Sequence, residues 1–97
     1  MQLARVVGSV VATVKESRLT GTTLLLVEDA TADGESADGT MYIAVDMVGA
    51  GEPELVLVVR GSSAARAIGV AGAPIDAAVV AIVDQVRSGG RSTYEKR

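Results

Sequence analysis

Few side chains in this sequence could act as nucleophiles, bases or metal ligands. Its 97 residues include neither cysteine nor histidine. That removes thiolate and imidazole metal sites, cysteine nucleophiles and every histidine-dependent triad. Ser62 and Ser63 remain as hydroxyls, but their base would have to be Lys15, Lys96 or a carboxylate. Ser62 also stands where a helix cap is wanted, which accounts for it without chemistry. Acid–base work by paired carboxylates would draw on Asp46, Glu52, Glu54, Asp76 and Asp84. Asp46 and Asp84 fall at strand ends, where a carboxylate more often accepts from turn N–H groups. Gly49-Ala50-Gly51 has the glycines of a phosphate cradle. Glu52, Pro53 and Glu54 follow it, however, where a cradle needs a helix start and a cation. A tight loop that admits close backbone approach is the better reading. The acidic stretch Asp33-Gly34-Glu35-Ser36-Ala37-Asp38-Gly39 lacks the ligand register and terminal bidentate glutamate of a calcium loop. It reads as a solvated, mobile loop. No catalytic set, cofactor site or metal site is expected.

The elements that would position these residues are mostly strands. Hydrophobic residues make up 48% of the chain, yet the aromatics are Tyr42 and Tyr94 alone. Sixteen valines and fifteen alanines call for a core of small, largely β-branched side chains, which suit a pleated sheet. Strands are expected over residues 3–14, 22–28, 41–46, 55–60 and 77–86, separated by Gly, Asp and Pro turn signals. Between the fourth and fifth, Ser62-Ser63-Ala64-Ala65-Arg66-Ala67-Ile68 predicts a two-turn helix with Gly69 as its left-handed stop. Five short strands and one helix predict an all-β fold, a five-stranded OB-like β-barrel. Residues 1–97 are expected to form one domain, with 88–97 as a basic, Gly-containing tail.

In the first strand Ala4, Val6, Gly8, Val10, Ala12 and Val14 form one small apolar face, with Gly8 placed for a bend. The second, fourth and fifth strands are apolar on both faces, unlike a monomeric barrel whose outer face meets water. Another copy of the chain is the simplest cover for that surface. Apolar runs such as Leu24-Leu25-Leu26-Val27 are too short to cross a bilayer, and MQLARVVGSV has no secretory core. A cytoplasmic location with no membrane partner is expected. The alternative function for such a barrel is single-stranded nucleic-acid binding, which uses aromatics along a basic groove. A net charge of −3, two tyrosines and scattered arginines (Arg5, Arg60, Arg66, Arg87, Arg91) count against it. Single arginines of this kind more often pair with carboxylates at interfaces.

Several blocks, in order, carry a resemblance. They are Met1-Gln2-Leu3-Ala4-Arg5-Val6-Val7-Gly8, Leu24-Leu25-Leu26-Val27 and Ala44-Val45-Asp46-Met47-Val48-Gly49-Ala50-Gly51. Leu55-Val56-Leu57-Val58-Val59-Arg60-Gly61-Ser62-Ser63-Ala64-Ala65-Arg66 and Pro74-Ile75-Asp76-Ala77-Ala78-Val79-Val80-Ala81-Ile82-Val83-Asp84 complete them. Over nearly the whole chain the sequence resembles the EutN/CcmL family, pentameric vertex proteins of bacterial microcompartment shells. The resemblance implies an OB-like barrel without enzymatic activity or cofactor. It implies a homopentamer that plugs the corners of a polyhedral shell, with hexameric and trimeric shell proteins as partners. The shell would lie in the cytoplasm. It also places Gly49, Ala50, Gly51 and Glu52 at a protein–protein contact. Val86-Arg87-Ser88-Gly89-Gly90 looks closer to ethanolamine-type members, which implies a catabolic compartment.

Overall fold

Small β-branched side chains alternating along short segments build a narrow barrel. The computed structural model describes residues 1–13, 15–70 and 72–96. Five strands close on themselves: β1 (Gln2–Val10), β2 (Thr23–Ala30), β3 (Ser36–Asp46), β4 (Leu55–Arg60) and β5 (Ala77–Ile82). Their order around the barrel is β1-β2-β3-β5-β4, with β4 returning to β1. Neighbours are antiparallel except β3 and β5, which run parallel and pair Val45 with Ala78 and Asp46 with Val79. One helix, α1 (Ser62–Ala67), lies between β4 and β5. This is the OB-like arrangement that the pattern of apolar segments predicts.

The interior is as small as the composition requires. Among the described residues the buried hydrophobic set is alanine and valine, with Leu25 and Leu55 the larger exceptions, and no polar or charged residue joins it. Val6, Val27, Val56, Val58 and Val79 are at most 1% exposed. Each buried valine contributes roughly 1.5–3 kcal/mol relative to an exposed one. Apolar outer faces remain in view: Met41 is 54% and Ile43 49% exposed on β3, and Met47, Val48 and Val70 are also exposed.

Several elements depart from the sequence pattern. The ladder between β1 and β2 slips between Val6 and Gly8, so Gly8 does mark a bulge. A Cβ there would sit 3.9 Å from the nearest atom, Leu26, so room is not what selects the glycine. β1 then stops at Val10, and Val11 stands 92% exposed. The small inner face therefore does not run on, and its expected end, Val14, lies outside the described residues. The serine cap is also absent. Gly61 occupies the N-cap with φ +69° and no side-chain bond, a backbone angle that a serine there would resist. Gly69 stops the helix as expected, at φ +76°.

The expected fifth strand divides in two. After β5, residues 83 and 84 break the ladder, and β6 (Gln85–Ser88) pairs antiparallel with β7 (Arg91–Glu95) in a separate hairpin. Within the basic, Gly-containing tail, residues 91–95 form a strand, turned by Gly89 and Gly90 at positive φ. Nor is the acidic stretch a mobile loop throughout. Ser36 to Gly39 already belong to β3, and a turn over residues 31–35 is closed by Thr31 N–H to Glu35 O at 2.8 Å.

Candidate functional site

The loop from Met47 to Glu54, which joins β3 to β4, contains all four residues expected at a contact. Its first half is shaped by one carboxylate. Asp46, the last residue of β3, accepts from the N–H groups of Val48 (3.0 Å), Gly49 (3.2 Å) and Ala50 (3.3 Å) through a single oxygen. This is the strand-end role expected for it. A carboxylate so occupied is held in place and carries no acid–base pair. Ala50 turns inward and packs on the barrel core, so the loop also closes one mouth of the barrel.

The second half is tied by Glu54. Its Oε1 accepts from Gly51 N–H at 2.8 Å, and its Oε2 pairs with Lys96 Nζ. Lys96 first, then the Gly51 amide, holds the Glu54 carboxyl below its usual 4.5. Glu52 and Pro53 are exposed between these anchors, joined by a cis peptide bond. Gly49 needs its glycine for φ +77°. Gly51 has no such angle, and a Cβ there would find only Glu54 Oε1, at 4.0 Å. Among the described residues nothing requires residue 51 to be small.

Beside the loop, Arg5 gathers three segments that lie far apart in sequence. From the outer face of β1, its Nη1 donates to Pro53 O at 2.7 Å. Its Nε (3.1 Å) and Nη2 both donate to Gly34 O in the turn before β3. The Tyr94 ring of β7 lies 5.8 Å from the guanidinium carbon. Arg5 therefore binds backbone carbonyls, not the carboxylate expected of an isolated arginine. Gly34 is buried beneath it, with φ +84°. Local pattern could not reveal this cluster, because its members are separated by tens of residues.

A second polar group stoppers the other mouth of the barrel. Asp29 of β2 accepts from Gln2 Nε2 and from the Tyr42 hydroxyl, each at 2.7 Å, and Arg60 stacks 4.1 Å from the Tyr42 ring centre. Burial, then the Asp29 carboxylate, pushes the Tyr42 phenol up to about 12. Both tyrosines are thus half-buried and each is covered by an arginine, so neither offers bases an open stacking platform. Ser62 and Ser63 are exposed. Among the described residues no cluster of three or more carboxylates assembles that could hold a metal ion.

Comparison with known proteins gives a consistent result. The family model described as "Ethanolamine utilisation protein EutN/carboxysome" matches residues 1–84, ending just before β6. The carboxysome shell vertex protein CcmL of Synechocystis sp. is 46% identical over 97 residues, covering all of this chain and 96% of that protein. A solved structure of the ethanolamine utilization protein EutN superposes with a TM-score of 0.92 at 42% identity, covering both chains completely. The pentameric microcompartment shell protein GrpN of Rhodospirillum rubrum matches with a TM-score of 0.80 at 45% identity. It covers 91% of this chain and all of that one.

Proposed function

The chain belongs to the EutN/CcmL family, and from that membership we propose that it is a structural protein of a bacterial microcompartment, closing the vertices of the shell as a homopentamer. Geometry gives such a part its purpose. A layer of hexagonal tiles stays flat, so a closed polyhedral shell needs pentagons at its corners. A five-membered ring joins each copy to the next through two different faces. Exposed Met41 and Ile43 on β3 supply apolar area for such a contact. A permanent ring buries on the order of 1,000 Å² or more at each junction.

We assign the contact with flanking hexameric or trimeric shell proteins to Gly49, Ala50, Gly51 and Glu52. The observation that carries this is Gly51, a small residue at ordinary backbone angles beside open space. The pattern fits a surface kept clear for another backbone. The compartment is read as catabolic, of the ethanolamine type, from the 86–90 stretch alone. Relatives of both the carboxysome and the ethanolamine kind support the vertex role to the same degree.

The test is native mass across a dilution series, followed by shell reconstitution with hexamers. Five 9.8 kDa chains give a concentration-independent species near 49 kDa, whereas a monomer at micromolar concentration overturns the ring. An Ala50→Trp ring that still joins hexamers into closed shells overturns the loop assignment. The identity of the enzymes retained in purified shells decides the compartment type.

A further inference from the structure

We propose that the β6–β7 hairpin is a latch that sets the shape of the 47–54 loop, with Arg5 as its pin. The two halves of that loop are held differently. Asp46 fixes the first half from within β3. The second half closes on itself through Glu54 N–H to Gly51 O at 2.8 Å and is joined to β1 by Val6 N–H to Glu54 O at 2.9 Å. Two further links tie it to the hairpin and the residue that follows it. One runs from Gly51 N–H through the Glu54 carboxylate to Lys96, just past β7. The other runs from Pro53 O through the Arg5 guanidinium to the face of Tyr94. A planar group with five donors can serve two carbonyls and a ring at once, which a lysine at residue 5 could not.

The hairpin is built to open separately from the barrel. None of its residues is buried, and a two-stranded ribbon is marginal by itself in water. A cleft of about 320 Å³, lined by Arg5, Pro53, Glu54, Tyr94, Glu95 and Lys96, separates it from the loop. Polar contacts to the barrel and its turns do the holding. Besides the two links they include Thr93 Oγ1 to Ala32 O at 2.6 Å, while Lys96 N–H to Asp84 O at 2.8 Å adds one rung to the hairpin's own ladder. A unit with few buried apolar contacts opens at less cost than the whole fold. When it opens, the Glu54 carboxylate and the Arg5 guanidinium lose their supports on the hairpin side, and residues 50–53 loosen while the Glu54 backbone stays bonded to β1. Arg5, Glu54 and Tyr94 are then positioning residues for the 49–52 surface. The coupling lies within one chain, so it holds whatever that surface touches.

Hydrogen exchange followed by mass spectrometry on the full chain tests this, comparing wild type with Tyr94→Leu and Lys96→Met. Both variants should raise exchange about tenfold in residues 85–96 and, to a similar degree, in 50–53. Core amides of Val27, Val56 and Val58 should keep their wild-type rates. Faster hairpin exchange with an unchanged 50–53 segment overturns the proposal, as does no change in either. Equal acceleration of the core also overturns it, because the hairpin would then not open as its own unit. Lys96→Met alters an exposed side chain, which keeps the test available if Tyr94→Leu fails to fold.

Discussion

Replacing Gly34 by alanine should destabilise the protein well beyond what its backbone angle alone accounts for. Two costs combine at this residue. At φ +84° an L-residue loses about 1–2 kcal/mol. The new Cβ would also fall 2.7 Å from Arg5 Nη2 and 2.8 Å from Tyr94 Cδ1. Arg5 is a flexible side chain, but its guanidinium is bound to Gly34 O and Pro53 O, so it cannot retreat without giving up bonds. Hydrogen bonds to a charged group contribute about 1.5–3 kcal/mol, and partial exposure lowers this to about 1–2 here. The total is about 2–4 kcal/mol, a large part of the 5–15 kcal/mol typical of a domain. Gly39→Ala is the matched control, since Gly39 has φ +78° and nothing within 4 Å of its Cβ position. It should lose only the backbone part. Urea unfolding at one fixed protomer concentration measures both, because assembly makes the midpoint depend on concentration. If Gly34→Ala is no less stable than Gly39→Ala, the clamp around Gly34 carries no energy and the account of Arg5 is wrong.

Two pH dependences follow from the same groups. Lys96 and the Gly51 amide hold the Glu54 carboxyl below 4.5 in the folded chain, so the contribution of this pair is complete above pH 4.5 and is lost as acid carries the pH through the lowered value. Exchange at residues 85–96 should therefore accelerate in acid before the core does; simultaneous acceleration would contradict it. The Tyr42 phenol, raised from 10.0 to about 12, contributes stability that is complete below pH 10 and is lost as the pH climbs towards 12. In a Tyr94→Phe variant, phenolate absorbance should stay low through pH 10 and rise near 12, and a midpoint at 10 would show that neither burial nor the Asp29 contact holds the phenol neutral.

What the sequence revealed, and what it hid, divides along the distance over which each feature is encoded. β4 is legible to the residue, because Leu55–Arg60 is an apolar run between Pro53-Glu54 and Gly61. The Asp46 turn is equally local: an acceptor sits two to four residues before the N–H groups it serves. The sequence pattern shortens β3 because residues 36–40 carry no large apolar side chain. They carry none because they stand exposed while paired in the strand, and composition cannot distinguish that from a loop. The break between β5 and β6 was hidden by Val83 and Val86, which continue the apolar pattern past the point where the ladder ends. Its signal was present in Gly89-Gly90, a pair suited to a two-residue hairpin turn. Nothing local announced the Arg5 cluster. Its partners Gly34, Pro53 and Tyr94 meet only when the barrel closes, and the tyrosine lies beyond the segment that the family model matches.

The packing explains why a chain of this composition works through its outside. Alanine, valine and Leu25 fill the barrel core, and no polar or charged side chain is buried among the described residues. Ala50 covers one mouth, and the Gln2–Asp29–Tyr42–Arg60 group covers the other. The polar groups of the described residues therefore lie at the barrel's ends and on its surface. Each polar device on the molecule fixes a surface. Asp46 and Glu54 shape the loop, Arg5 ties it to a turn and a hairpin, and Arg60 holds Tyr42 against the barrel end. Rigid presentation lowers the ordering cost of association, and a ring repeats that saving at every junction. Such an exterior, built without cysteine, histidine or more than two aromatics, suits the building-block role proposed above.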